Sequence, residues 1–205
     1  MQNKSTITTK IALVACVFCL TTVWIIRYHQ INQFYKAHTI KAEKFYSMNE
    51  NVAFEDDFLA LHEAAKGHFI CVNNLEIVAF TDYINCMGIS INTRETAIPE
   101  KLALISVRLQ NTEGETSDIF FPNFSLFGVD SNPQFDYELF HSINPFISKN
   151  SWHISIPKGS DCDLILPYML FENEYKRSIW ENWNQYPFFL QITAFPTAKY
   201  IRLEN

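Results

Sequence analysis

Glycine is scarce in this chain, five residues in 205, and none of them builds a phosphate-cradling loop or a G-x-S-x-G elbow. Nor do strand patterns alternate with helix patterns, which argues against a nucleotide-binding α/β fold. Charge is scarce as well. Only 19% of residues are charged, against 48% hydrophobic and 15% aromatic, a balance that folds around Phe and Tyr rather than staying disordered. Basic residues are the scarcer sign: Lys4, Lys10 and Arg27 take three of the 16, all 22 acidic residues come later, and residues 28–205 carry a net charge of −9 with His neutral. Such a body is expected to avoid nucleic acid and bare anionic lipid.

What the chain does have is one apolar run near its start. Ile11 to Ile26 supplies 16 residues, roughly 24 Å of helix at about 1.5 Å per residue. Flanking Thr8, Thr9 and Tyr28 lengthen it, with Lys10 and Arg27 snorkelling outward and Trp24 near one interface, so a single membrane span is expected. The run ends in "TTVWIIRYHQ", without the A-x-A-like pair of a cleaved secretory peptide. Leu13-Val14-Ala15-Cys16 has the look of a lipid-attachment signal. Five residues of the run precede Cys16 and ten follow it, whereas a lipid-bearing cysteine ends its apolar stretch; a lipoprotein anchored at Cys16 stands as the alternative. Charge does not set the orientation, because Lys4, Lys10 and the amino terminus are matched by Arg27, Lys36 and Lys41. A short tail before a large body predicts residues 1–10 inside, a signal anchor at 11–27, a juxtamembrane stalk at 28–50 and an extracytoplasmic domain at 51–205.

Within that domain "EDDFLALHEAAKG" carries acids at its start and Lys66-Gly67 at its end, the punctuation of a short helix. The period then changes. In "KLALISVRLQN", Ser106, Arg108 and Gln110 alternate with Ile105, Val107 and Leu109, as in a half-buried strand. "HFICVNNLEIVAF", "IFFPNFSLFGVD", "WHISIP", "CDLILPYML", "PFFLQITAF" and "YIRLEN" add six more strand candidates between turn clusters such as "DSNPQFD" and "IPKGSD". This pattern predicts a mainly β, antiparallel sandwich with one or two short helices.

Catalytic and metal signatures are weak. "HEAAK", at His62 to Lys66, lacks the second histidine of a zinc-protease helix, and the other histidines show no ligand spacing. Asp130, Asn132, Gln134 and Asp136 alternate like a calcium loop, but Phe135 stands where its glycine belongs and His141 where its bidentate acid belongs, leaving a polar hairpin turn. Cys71, Cys86 and Cys162 allow one disulfide at most. In "SDCDLIL" the alternation turns Cys162 inward, as a buried inert thiol or a partner of Cys71 or Cys86. The most unusual composition is "NEYKRSIWENWNQYPFF", where Tyr175, Ile179, Trp180, Trp183 and Tyr186 recur at helical spacing. They form either a lid packed over one end of the sandwich or a surface for a glycan, a peptide or a membrane protein.

The strand ending in Asn111, the Phe-x-Leu strand at Phe124 and Leu126, the turn from Pro157 to Ser160 and the closing P-x-x-K-x-I-x-L at Pro196 to Leu203 are similar to a family of proteins. "YSMNENVAFEDDFL" upstream looks like the start of the same domains. The group resembled is one of uncharacterised, membrane-anchored or lipid-anchored extracytoplasmic domains of Gram-positive bacteria. That resemblance covers about residues 45–204 and implies an immunoglobulin-like sandwich, with no catalytic motif. The expected function is that of a membrane-anchored, non-catalytic binding or accessory module without cofactor or metal. Its expected partner is another membrane protein, with an envelope glycan or secreted peptide as the alternative.

Overall fold

The structure, a computed structural model, describes residues 3–37, 39–59, 65–89, 98–113, 118–148, 151 and 153–204. The chain divides into two units, Met1–Thr39 and Ile40–Asn205. The first is helix α1 (Asn3–Ala37), 35 residues without a glycine or proline to interrupt it. Side chains from Val14 to Ile31 are exposed. From Val14 to Ile26 the exposed side chains carry no charge on any face of the helix. Thr21 and Thr22 fold their hydroxyls back onto the carbonyls of Val17 and Phe18, at 2.9 and 2.8 Å, which keeps unsatisfied donors off that surface. Val14–Asn32 is the one stretch among the described residues with the length and composition to cross a membrane.

The second unit is built from β1 (Ala42–Ser47), β2 (Val52–Ala53), β3 (His68–Ala79), helix α2 (Phe80–Met87), β4 (Lys101–Asn111), β5 (Asp118–Ile119) and β6 (Ser125–Phe127). There follow β7 (Gln134–Phe135), α3 (Tyr137–Ile143), β8 (Ile154–Ser155), β9 (Ser160–Leu170), α4 (Arg177–Trp180), β10 (Phe188–Thr193) and β11 (Thr197–Leu203). One sheet has the order β1-β11-β10-β6, the other β2-β3-β4-β9-β7, and β5 pairs with β8. Every pair is antiparallel except β1 with β11. The alternation expected of the long strands holds: Ile105, Val107 and Leu109 are buried and Arg108 is exposed. Leu126, Leu190, Ile201 and Leu203 of the first sheet share one core with Ile70, Val72, Ile105, Val107, Leu164 and Leu166 of the second. On the outer face of the larger sheet, α2 and α3 cover a second cluster of Phe80, Ile84, Leu102, Leu104 and Leu139.

Two polar side chains cross the core. Tyr168 of β9 donates to the Phe124 carbonyl at 2.8 Å, and burial pushes its phenol well above the usual range. Lys199 of β11 lies in the inward phase with Ile201 and Leu203 and is fully buried. Its ammonium bonds to the carbonyls of Ala53 and Phe54 at 2.6 and 3.1 Å, to Glu55 at 2.7 Å and to Asp57 at 2.7 Å. The other Asp57 oxygen accepts from the Thr197 amide at 3.1 Å. One buried cation thus ties the segment leaving β2 in one sheet to β11 in the other.

The domain begins earlier than the expected boundary at 51. The stalk expected at 28–50 is helix only to Ala37; Ala42–Ser47 is an edge strand in register with Thr197–Arg202. Only Tyr46 in that strand is even half-buried, so it shows no alternation by which to be recognised. "DSNPQFD" is not a free hairpin turn: Gln134–Phe135 pairs with Tyr168–Met169, and Asp136 caps α3 by accepting from the Leu139 amide at 3.0 Å. "IFFPNFSLFGVD" breaks at Pro122 into two short strands around a 3-10 turn, Phe121–Asn123. Of the helix expected around Phe58 to Lys66, residues 60–64 lie outside the described residues, while Phe58 bridges to Phe195.

Replacing Lys199 with Met leaves Asp57 buried without its cation, and we expect a loss of about 3–5 kcal/mol in thermal or urea unfolding of the full chain in micelles. The doubly apolar variant, Lys199→Met with Asp57→Leu, should recover part of that loss, which a simple sum of contacts would not allow. Asp136 supplies a pH dependence, since burial raises its carboxyl above the ordinary value of 3.8. The folded state then holds this proton more tightly than the unfolded one, so its contribution is fully present below 3.8 and is lost as pH rises through the raised value. Asp136→Asn should flatten that part of the stability profile, whereas Asp136→Ala should cost about 1 kcal/mol through the lost cap.

Candidate functional site

The aromatic segment does not form one helix. Its backbone runs through a 3-10 turn (Glu172–Glu174), the single turn of α4, and another 3-10 turn (Trp183–Gln185), so the helical spacing of Tyr175, Trp180, Trp183 and Tyr186 is not one continuous stripe. All four are half-buried. Tyr175 and Trp180 pack on the main core with their rings 5.7 Å apart, and Ile179 beside them is buried. Burial raises the Tyr175 phenol above its ordinary range. Lys101, the first residue of β4, places its ammonium 4.4 Å from the Trp180 ring centre and 5.7 Å from that of Trp183. Glu100 pins the same segment by accepting from the Glu172 amide at 2.9 Å. An open stacking platform needs a free ring face, and here the protein's own cation sits over one.

Of the expected anchor residues, Trp24 is exposed on α1 and stacks on Tyr28 at 5.4 Å. Arg27 is exposed on the same helix, and the side chain of Lys10 lies outside the described residues.

The cysteines are all free. Register separates the pair Cys71 and Cys162: Cys71 is opposite Arg108 on the outer face of β4, while Cys162 is opposite Leu109 on its inner face. Two strand spacings, about 9.6 Å, and opposite faces exclude a bridge without rebuilding the sheet. Cys162 is half-buried against the core, close to the inward placement expected of it. Burial raises its thiol, and Asp163 and Asp161 raise it further, which opposes the thiolate a nucleophile needs.

Sequence reasoning missed two open clefts of this unit. A groove of about 330 Å³ runs beside the first half of β9, between Asp161 and Cys162 on one bank and Phe146, Ile147, His153, Ile154 and Ile156 on the other. Phe146 is 63% exposed. A second open cleft of about 290 Å³ lies between β6 and β7, lined by Pro122, Ser125, Gln134 and Tyr137. Among the described residues no group of His, Cys, Asp and Glu is arranged to hold a metal ion.

A family model, a domain of unknown function designated DUF5028, matches residues 43–199. The chain belongs to that family. Its match begins in β1, three residues into the folded unit, and ends at the buried Lys199 of β11. No curated protein matches the DUF5028 chain. Among solved structures it is similar to the yjhA protein from Bacillus subtilis, at 12% identity over 78% of this chain and 99% of that one, with a TM-score of 0.44. It is also similar to an uncharacterised β-sandwich protein from Clostridium difficile 630, at 10% identity over 80% and 97%, with a TM-score of 0.39.

Trp180→Ala is expected to lower stability by about 1–3 kcal/mol, less than for a fully buried ring, and Trp183→Ala by under about 1 kcal/mol. Unfolding midpoints of the two variants check this. Equal and negligible changes would return both rings to the role of a free surface.

Proposed function

We propose that this DUF5028 protein is a single-pass membrane protein of a Gram-positive envelope. Its sandwich acts on the extracytoplasmic side as a non-catalytic binding module for another membrane protein. The observation that carries this reading is the apolar surface of α1, exposed from Val14 to Ile31. Anchoring to a membrane raises the effective concentration of the domain for anything in the same membrane, so a shallow site suffices for useful binding. Cys16 sits within the helix, with the apolar run continuing beyond it, which favours an intact span over a lipid attachment. An immunoglobulin-like topology is supported by both sheets: β3-β4-β9-β7 and β6-β10-β11, lettered in chain order, have the A-B-E-D and C-F-G orders of a seven-strand sandwich, with β1 and β2 added at the edges.

The cysteines supply the topology test. In a Cys71→Ser, Cys162→Ser variant, the exposed Cys86 on α2 is the only thiol outside α1. A membrane-impermeant maleimide should label it in intact cells to the same extent as in permeabilised ones. Labelling only after permeabilisation would place the domain in the cytoplasm and overturn the reading. Intact mass of the extracted protein should match the full chain; an amino terminus at Cys16 carrying diacylglycerol would establish the lipoprotein instead. In-cell crosslinking through a C-terminal tag should then recover one recurrent membrane protein in stoichiometric amount, whereas a purely soluble or glycan partner would move the assignment to an envelope binder.

A further inference from the structure

One sheet edge in the folded unit is finished along part of its length and open along the rest. β9 pairs with β4 over all of Ser160–Leu170. On its other side Tyr168 and Met169 pair with β7, the Pro167 carbonyl accepts from the Asp136 amide at 2.9 Å, and the Asn144 side chain imitates a strand at Ile165. Asn144 accepts from the Ile165 amide at 3.0 Å and donates to its carbonyl at 2.9 Å. Backbone groups in a strand point alternately to its two neighbours, so Ile165 and Pro167 fix the phase: Asp161 and Asp163 also point outward. No strand accepts them among the described residues. Pro167 agrees with this phase, because the N–H it lacks would have faced the same edge.

We infer that this open edge and the groove beside it bind an extended segment of a partner protein by strand addition, and that the segment alternates basic and apolar residues. The main-chain groups of Asp161 and Asp163 lie two residues apart, the repeat at which an added strand forms its bonds. The side chains of both residues are exposed on the outer face of the sheet. Arg108 forms its ion pair with Asp161, Asp163 makes none, and one guanidinium therefore faces two carboxylates. A residue directly opposite Asp163 shares that outer face, so a lysine or arginine there meets the uncompensated charge. The alternate residues of the segment turn to the inner side, where Phe146, Ile154, Ile156 and Cys162 line the groove. The same acids argue against a second copy of this chain, since β9 added to β9 would set carboxylates opposite one another. The inference rests on the binding-module reading and gives it a site and a ligand chemistry.

The test uses the full chain in detergent micelles and an octapeptide alternating lysine and valine. The alternating peptide should slow amide exchange at Asp161 and Asp163 by roughly tenfold or more at saturation. A block peptide with all lysines before all valines should leave both amides unprotected, and backbone N-methylation at alternate residues of the active peptide should abolish protection. Asp163→Asn should weaken binding about two- to fivefold without moving the unfolding midpoint. Exchange unchanged at saturating peptide, or equal protection by the block peptide, would overturn the inference. A membrane partner crosslinked equally well by wild type and Asp163→Asn overturns this site but leaves the tethered module standing. Protection of the two amides in a protein whose Cys86 labels only from the cytoplasmic side does the reverse.

Discussion

A lysine ammonium buried between two β-sheets has to be surrounded by acceptors, and that requirement organises the sandwich. Lys199 can donate three bonds and has four acceptors within reach, all supplied by the single stretch from Ala53 to Asp57. The stretch must therefore curl around the head group, and Glu55 holds a left-handed φ of 59° in doing so. Asp57 adds a bond to the Thr197 amide, which pins the start of β11 beside the same cation. A shift of either segment by one residue would exchange Lys199 for a neighbour of opposite phase and strand Asp57 in the core. Buried ion pairs of this kind contribute little net stability relative to apolar packing, but they penalise every arrangement that separates the partners. Their use here is to select one way of closing two sheets.

The parts of the fold legible in the sequence are those whose residues answer to one neighbour. The second half of β4, the first half of β9 and β10 alternate because each has one face on the core, whereas the rest of β4 and β9 is buried on both faces and reads as an apolar run. The Pro157 to Ser160 turn announces the start of β9. β1, β5 and β7 are short or lie at edges, take their order from main-chain pairing, and carry no period to recognise. Two features had a usable signal. Asp136 stands before Tyr-Glu-Leu-Phe, a helix cap followed by inward residues, and Lys199 stands in phase with Ile201 and Leu203, a charge at a core position. The first was masked by the resemblance of "DSNPQFD" to a metal loop. The second needs its partner to be interpretable, and Asp57 lies far away in sequence. The family resemblance spans both partners, Asp57 in "YSMNENVAFEDDFL" and Lys199 in the closing motif, so its two ends meet in one ion pair.

The aromatic segment shows why composition misleads about exposure. Four large rings in a dozen residues suggest a binding surface, yet a sandwich end must be closed by something, and Trp and Tyr close it with few side chains. Lys101 over Trp180 completes the closure with a cation that remains half in water. Trp180 is held between the core and that cation, with Tyr175 packed beside it.

An open strand edge is a hazard that folded proteins suppress with proline, charge or a covering element, and β9 uses all three in sequence. Pro167 removes a donor, the Asn144 amide covers Ile165, and β7 covers the last pair. Among the described residues, Asp161 and Asp163 are where the edge is left to charge alone. Charge differs from the other devices because it discriminates: it repels a second acidic copy of the same strand while admitting a basic one, whereas a proline or a covering strand excludes both. Burial holds the Cys162 thiol protonated beside this edge, and the same two carboxylates that keep the edge from self-pairing add to that effect. An edge guarded against its own kind and bordered by an apolar groove is an arrangement suited to admitting a different chain.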